Sequence, residues 1–113
     1  MTLPNAERAI IDPLKLHGYL LSQSHPLGRF KAKFFRKLGY SSERWHALEK
    51  DLRNQHLPEP ARLVTSTQHG AKYEIRAMLK GPNGTTAQVV SVWMIRLGDN
   101  TPRFVTAYPG ARV

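Results

Sequence analysis

The architecture of this chain follows from one segment, KYEIRAMLKGPNGTTAQVVSVWMIRL (residues 72–97). Apolar and polar side chains alternate over residues 72–80, which is the pattern of a strand with one buried face. Residues 85–97 are apolar on both faces, which predicts a central strand. The connecting sequence GPNG (residues 81–84) is a turn, because proline presets φ and glycine allows a positive φ. So short a connection makes the two strands antiparallel.

Two further strands are predicted on either side of this hairpin, over residues 61–68 and 103–108. The connections are again turn sequences, His69-Gly70 before the hairpin and GDNTP (residues 98–102) after it. Consecutive strands joined by short turns pair with their neighbours in the chain. The second half of the chain is therefore predicted to be a four-stranded antiparallel meander.

Upstream of residue 57 the hydrophobic period is helical, and we predict three helices. The first helix opens at Asp12-Pro13, an N-cap followed by proline, and runs to about Leu21. The second runs from about Gly28 to Leu38 and is closed by Gly39. The third is capped by Ser41 or Ser42 and has an apolar face formed by Trp45, Leu48 and Leu52. The expected class is α+β, with about three N-terminal helices covering one face of the meander. We expect one domain over residues 1–113, with a helical half at about 12–56 and a β half at about 61–109.

The composition limits the possible partners and chemistry. Lys and Arg number 17 against 8 Asp and Glu, which gives a formal net charge of +9 over 113 residues. A folded surface with this excess favours a polyanion such as RNA. The absence of cysteine excludes disulfides, thiolate nucleophiles and zinc ribbons. No apolar run is long enough to span a membrane, and the start MTLPNAERAIIDP lacks the apolar core of a signal peptide, so a cytoplasmic protein is expected.

Lys31 is the side chain that fits an amphipathic helix least well. On a helical wheel, residues Phe30, Phe34, Phe35 and Leu38 form an apolar arc, and Lys31 falls inside it, whereas Arg29, Lys33 and Arg36 lie on the solvent side. A lysine that faces the protein interior needs an anion to pair with, a polar pocket, or an extended side chain whose amine reaches solvent at the edge of the helix. Two interpretations stay open: a lysine that extends to solvent, and a lysine that faces a phosphate in a cleft.

His25-Pro26 precedes the same helix, where free N–H groups and the helix dipole favour an anion. Histidine is suited to moving a proton near neutral pH. His25, Arg29 and Lys31 therefore form a candidate phosphate pocket. The alternative for His25 is an ordinary capping or surface residue. His17 is interpreted as a residue at the boundary of the core.

The last strand, RFVTAYP (residues 103–109), contributes the other candidates. Strict alternation places Phe104, Thr106 and Tyr108 on one face, with Arg103 and Val105 on the other. Hydroxyl groups on a strand can bind phosphate oxygens and an aromatic ring can stack on a base, although both residues are also ordinary in strands. Basic residues expected to hold the RNA backbone are Arg29, Lys33, Arg76, Lys80 and Arg103.

Metal chemistry is not indicated. The sequence contains no HxH or HExxH motif and no cluster among its 8 acidic residues. It also lacks a Gly-rich dinucleotide loop, which makes nucleotide modification a weaker third possibility. We therefore expect neither a metal nor another cofactor.

These segments together resemble a small bacterial domain family of unassigned function. The run LKLHGYLLSQSHPLGRFKAKFFRKLGY (residues 14–40) is similar to its pattern KLxxYLLxxxHPxGxxKAxxFxxxLGY, and HGxxYxI (residues 69–75), KGPNG, VSVW and RFVTAYP follow at the family's spacing. The chain departs from that pattern just before His25 and at Ser91. The family occurs as free-standing proteins and as C-terminal tips of polymorphic toxins.

The resemblance implies a fold comparable with the barnase, EndoU, colicin and RelE-like ribonucleases. Its implied site comprises His25 as general base or acid, Lys31 stabilising the phosphorane, and Thr106 with Tyr108 positioning phosphate or base. The leading hypothesis is a metal-independent endoribonuclease toxin that uses the 2′-OH as nucleophile, with an acidic antitoxin or immunity protein as partner. Such a toxin would act in the cytoplasm, either where it is made or in a target cell. The alternative is a non-catalytic basic module that binds RNA or an acidic protein.

Overall fold

The computed structural model describes residues 1–110. Within that range a 3-10 turn at Ala6–Arg8 precedes three helices and four strands. The helices are α1 (Pro13–Lys15, continued by a π-helical turn at Leu16–Leu20), α2 (Arg29–Lys37) and α3 (Trp45–Asp51, preceded by a 3-10 turn at Ser42–Arg44 and continued by a π-helical turn at Leu52–His56). The strands are β1 (Ala61–Thr67), β2 (Gly70–Lys80), β3 (Thr86–Arg96) and β4 (Arg103–Pro109).

The sheet has the predicted topology. All three strand pairs are antiparallel and the order is β1-β2-β3-β4. The prediction of an α+β fold with a four-stranded meander is therefore confirmed. The β2–β3 hairpin is long because eleven residue pairs run without interruption from Gly70–Arg96 to Lys80–Thr86.

The start of α1 and the end of α2 follow their sequence signals, whereas the predicted serine cap of the third helix is wrong, because neither the 3-10 turn after Ser41 nor α3 has a side-chain capping bond. The Asp12 side chain accepts a hydrogen bond from Leu14 N (3.0 Å) and caps α1. Gly39 adopts φ 99° directly after α2, a conformation that only glycine enters readily. One detail of α2 was predicted wrongly: Phe30 is 70% exposed, whereas Phe35 and Leu38 are buried. The apolar face of α2 therefore begins one turn later than the wheel suggested.

The core lies between the helices and one face of the sheet. Its sheet side includes Ile75, Leu79, Val89, Trp93 and Phe104, and its helical side includes Leu16, Leu20, Phe35, Leu48 and Leu52. The opposite sheet face carries the alternate residues of each strand. No helix among residues 1–110 is long and apolar enough to cross a membrane.

Strand β4 contains an irregularity that changes the predicted faces. Val92 pairs with Thr106, but its neighbour Trp93 pairs with Phe104, so Val105 is an additional residue. Because Val92 and Trp93 point to opposite faces, Thr106 and Phe104 do too. The prediction that Phe104 shares a face with Thr106 and Tyr108, opposite Arg103, is wrong: Arg103 pairs with Met94 and lies on the Thr106 face. Phe104 packs on Trp93 in the core, with ring centroids 5.3 Å apart.

Candidate functional site

Lys31 forms the centre of a polar cluster at the β4 edge of the sheet. Its Nζ donates hydrogen bonds to Tyr19 Oη (2.8 Å) and to Thr106 Oγ1 (3.0 Å). The Thr106 hydroxyl in turn approaches Tyr19 Oη at 3.4 Å. An ammonium group has three N–H donors, so two are used and one is available to a ligand. We call Tyr19, His25, Lys31 and Thr106 the Lys31 cluster.

The local sequence explains how Tyr19 and Lys31 come together. Tyr19 lies in the π-helical turn Leu16–Leu20, in which Leu21 N bonds to Leu16 O at 2.8 Å. Gly28, at the start of α2, packs against that turn so closely that a Cβ atom would lie 2.0 Å from Tyr19 O. Glycine at this position therefore lets the start of α2 contact the backbone that carries Tyr19.

The ring of His25 caps the turn at residues 26–28 that leads into α2. Its Nδ1 accepts hydrogen bonds from Leu27 N and Gly28 N, each at 3.0 Å. The capping alternative is thus correct, and the expectation of free N–H groups for an anion is wrong for these two. A nitrogen that accepts N–H bonds carries no proton, so a neutral ring has its proton on Nε2. The ring packs edge-on against Tyr19, with centroids 5.0 Å apart.

Tyr19 is the titratable group most affected by this arrangement. Burial by itself would raise the pKa of Tyr19. The hydrogen bonds from Lys31 and Thr106, together with the charges of Lys31 and Lys15, outweigh burial and lower the pKa below its ordinary value of 10.0. The cluster therefore stabilises the phenolate form of Tyr19.

Tyr108 belongs to a second group of contacts. Its hydroxyl donates to Glu74 Oε2 at 2.9 Å, and Arg62 Nη2 donates to Glu74 Oε1 at 3.0 Å. Burial and the contact with Glu74 raise the pKa of Tyr108. Arg62 and Glu74 also line a cleft of about 400 Å³ together with Pro60, Ala61 and Arg76. Thr106 and Tyr108, predicted to act together, therefore make separate contacts two residues apart on β4.

The nine predicted site residues fall into two groups. On or just before α2 lie His25, Arg29, Lys31 and Lys33. The sheet face opposite the core carries the other five, Arg76, Lys80, Arg103, Thr106 and Tyr108. The Lys31–Thr106 hydrogen bond joins the groups at the β4 edge. Arg29, Lys33, Arg76 and Lys80 are exposed. Two of the arginines make contacts within the protein: Arg103 pairs with Asp99 at 3.8 Å, and the Arg76 guanidinium donates to Gly110 O.

Sequence reasoning missed three residues of these groups: Tyr19, Arg62 and Glu74. Tyr19 lies twelve residues before Lys31, and only the tyrosine in the KLxxYLL pattern could have indicated it. Arg62 and Glu74 face one another across paired strands, as the register of β1 and β2 requires. In residues 1–110, no three His, Asp or Glu side chains are grouped so that they could hold a metal ion.

Comparison with protein families places this chain in a defined class. Residues 2–111 match the domain of unknown function DUF6883, so the chain belongs to that family. No curated protein sequence matches it.

A solved structure has a similar fold. It is a chain of a contact-dependent growth inhibition toxin–immunity protein complex from Klebsiella pneumoniae 342, with a TM-score of 0.58 and 19% identity. The alignment covers 95% of this chain and 97% of that chain. At 19% identity, the similarity shows that the two chains share a fold over nearly their whole lengths.

Proposed function

We propose that this protein is a toxin domain that cleaves RNA without a metal ion. The observation that carries the proposal is the Lys31 cluster, in which a lysine on α2 and a hydroxyl on β4 lie 3.0 Å apart beside His25. Lys31 uses two of its three N–H donors on the oxygens of Tyr19 and Thr106 and keeps the third for an anionic ligand. Its position at the edge of a basic sheet face fits a phosphodiester.

The proposed reaction is attack of a ribose 2′-OH on the adjacent phosphorus. The 5′-oxygen leaves, and the products are a 2′,3′-cyclic phosphate and a 5′-OH end. Lys31 contributes its free N–H to the charge that develops on the phosphorane oxygens. His25 presents Nε2 to the phosphate, because its Nδ1 is used by the backbone N–H groups of Leu27 and Gly28.

Substrate binding is assigned to the exposed basic residues around the Lys31 cluster. Arg29 and Lys33 extend from α2, and Arg76 and Lys80 extend from β2. Tyr108 lies on the same sheet face, near the cleft lined by Arg62, Glu74 and Arg76, where a base could stack. Backbone contacts of this type make affinity fall steeply with salt.

The structural relative supports the toxin part of the proposal. Its complex contains both a toxin and an immunity protein, so the fold alone is compatible with either role. The formal charge of +9 favours the toxin role, because a toxin that acts on RNA must bind a polyanion. An inhibitor of so basic a protein is expected to be acidic. We propose that such an immunity protein covers the Lys31 cluster, and that the toxin acts in the cytoplasm of the cell it enters.

RNA cleavage in EDTA tests the enzymatic part. The wild-type protein should cleave, and His25→Ala and Lys31→Ala should each lose about 100-fold in rate, the usual cost of removing a donor to a developing oxyanion. Lys37→Ala is the matched control, since it removes the same charge from an exposed position of the same helix that has no assigned role in binding. Undiminished cleavage by both cluster variants, or cleavage abolished by EDTA, contradicts the proposal.

A non-catalytic module that binds RNA or an acidic protein is the second candidate. One observation favours it: the Tyr108 hydroxyl and the Arg76 guanidinium are already held by Glu74 and Gly110, as in a preformed binding surface. Growth separates the two functions, because expression without a protective partner should be toxic only for an enzyme. If His25→Ala abolishes toxicity and leaves RNA affinity unchanged, the binding module is excluded.

A further inference from the structure

The proposed reaction needs a group that accepts the proton of the 2′-OH, and His25 is poorly placed for that task. Its Nδ1 lone pair is used by two backbone N–H groups, Leu27 N and Gly28 N. The other ring nitrogen of a neutral imidazole then carries the proton. Protonating Nδ1 would break both capping bonds. His25 is therefore a donor to the phosphate, and the base must come from elsewhere.

Tyr19 has the contacts that such a base requires. Its oxygen accepts hydrogen bonds from Lys31 Nζ at 2.8 Å and from Thr106 Oγ1 at 3.4 Å. Both donors favour the deprotonated oxygen. Tyr19 is only half-buried, so a substrate can reach it. The hydroxyls of Tyr40 and Tyr108, in contrast, donate to the carboxylates of Asp51 and Glu74, which hold them as phenols.

We propose that Tyr19, as a phenolate held by Lys31 and Thr106, is the general base that activates the 2′-OH. The inference rests on the proposed ribonuclease function and deepens it. It makes Lys31 serve two anions, the phenolate of Tyr19 through one N–H and the phosphate through the free N–H. Thr106 then positions Tyr19 Oη and Lys31 Nζ at the β4 edge and takes no proton itself.

The step conserves protons and electrons. The 2′-O–H bond breaks and its proton moves to Tyr19 Oη, while the electron pair of the 2′-oxygen forms a bond to phosphorus. The bond from phosphorus to the 5′-oxygen breaks, and its electron pair stays on that oxygen, which takes a proton from water. The hydroxide so formed removes the proton from Tyr19 and restores the phenolate. A general base of this kind contributes about 10²–10⁴-fold to the rate.

Single-turnover cleavage of a short RNA in EDTA tests the inference. Tyr19→Phe keeps the ring that packs on His25 and removes only the phenol oxygen. We expect this variant to cleave about 100-fold more slowly. Its rate should also lack the increase with pH that ionisation of Tyr19 produces in the wild type. Tyr73→Phe is the control, since it makes the same change on β2, outside the Lys31 cluster, and should cleave at the wild-type rate. Both variants should bind RNA as tightly as the wild type.

Ultraviolet titration of phenolate provides a second readout that needs no RNA. The difference between the wild-type and Tyr19→Phe curves gives the ionisation of Tyr19 alone. We expect its midpoint to lie below that of a free tyrosine and to rise in Lys31→Gln, which removes the nearest positive charge. A midpoint that does not change in Lys31→Gln overturns the inference even if Tyr19→Phe is inactive.

The outcomes separate this inference from the proposed function. If the wild type cleaves RNA and Tyr19→Phe cleaves equally fast with the same pH profile, the base role is wrong and the ribonuclease proposal stands. If the wild type cleaves no RNA at all, the proposed function is wrong and the base role with it. Slow cleavage by Tyr19→Phe, a flat pH profile and the expected change in midpoint together support the assignment.

Discussion

Lys31 Nζ lies 3.0 Å from Thr106 Oγ1, although the two residues are 75 positions apart in the chain. This hydrogen bond joins α2 to the edge strand β4. It also connects the only lysine that points inward from α2 within the described range to the strand that carries RFVTAYP. The two halves of the candidate site therefore meet at Thr106.

Thr106→Val tests whether this contact matters for activity. Valine keeps the shape of the side chain but cannot accept the hydrogen bond from Lys31. Bonds to charged groups contribute about 1.5–3 kcal/mol, so we expect kcat for RNA cleavage to fall by about 10-fold or more. Thr65→Val, on the exposed strand β1, should cleave normally. In Lys31→Ala, the additional change Thr106→Val should have little further effect; full additivity of the two changes contradicts the coupling.

The residue pattern predicted the helices and strands well, because each of them is determined by residues within its own segment. Alternation identified β2, an apolar run identified β3, and Gly39 marked the end of α2. The contacts of the site depend instead on packing between distant segments. The additional residue at Val105 reverses the face of Phe104, and nothing in RFVTAYP distinguishes a regular strand from one with such an irregularity. Sequence could therefore select Lys31 and Thr106 but could not pair Tyr108 with Glu74.

Gly28→Ala tests how α2 is placed against the turn that carries Tyr19. The added Cβ would lie 2.0 Å from Tyr19 O, so the helix or the turn must move. We expect the free energy of unfolding to fall by about 1–3 kcal/mol and RNA cleavage to fall with it. The control is Gly18→Ala, whose Cβ would meet Leu14 at an ordinary 3.6 Å. Urea unfolding of both variants measures the difference; equal stabilities contradict the account.

His56 makes the stability of the fold depend on pH. It is fully buried, and its Nδ1 lies 2.8 Å from Ser91 Oγ, which also accepts a hydrogen bond from Trp93 Nε1. Because Trp93 is only a donor, the Ser91 hydroxyl hydrogen remains available to Nδ1 of a neutral His56 ring. Burial lowers the pKa of His56 to about 4 from 6.5.

The sign of the effect follows from this lowered pKa. Below about pH 6.5 the unfolded chain binds a proton at His56 that the folded chain does not, so stability falls as the pH drops from 6.5 toward about 4. The loss at pH 5 should be about 2 kcal/mol relative to pH 8. Urea unfolding at the two pH values measures it. In His56→Asn the difference should shrink by most of that amount, and an unchanged difference contradicts the assignment to His56.

Tyr108→Phe tests the separation of the two groups of contacts. The Tyr108 hydroxyl donates to Glu74 and not to the Lys31 cluster. We therefore expect the variant to weaken RNA binding, seen as a higher KM, with little change in kcat. Tyr19→Phe should show the opposite behaviour. A large fall in kcat for Tyr108→Phe would place its hydroxyl in the reaction and contradict this division of roles.

The chemical identity of the RNA ends produced in EDTA tests the central claim most directly. Mass spectrometry of the fragments should find 2′,3′-cyclic phosphate and 5′-OH ends from the wild type and from the control Lys37→Ala at similar rates. Lys31→Ala should yield almost none, because the charge that stabilises the phosphorane is gone. Fragments with 5′-phosphate ends, or cyclic phosphate formed equally fast by Lys31→Ala, would contradict a metal-independent reaction centred on Lys31.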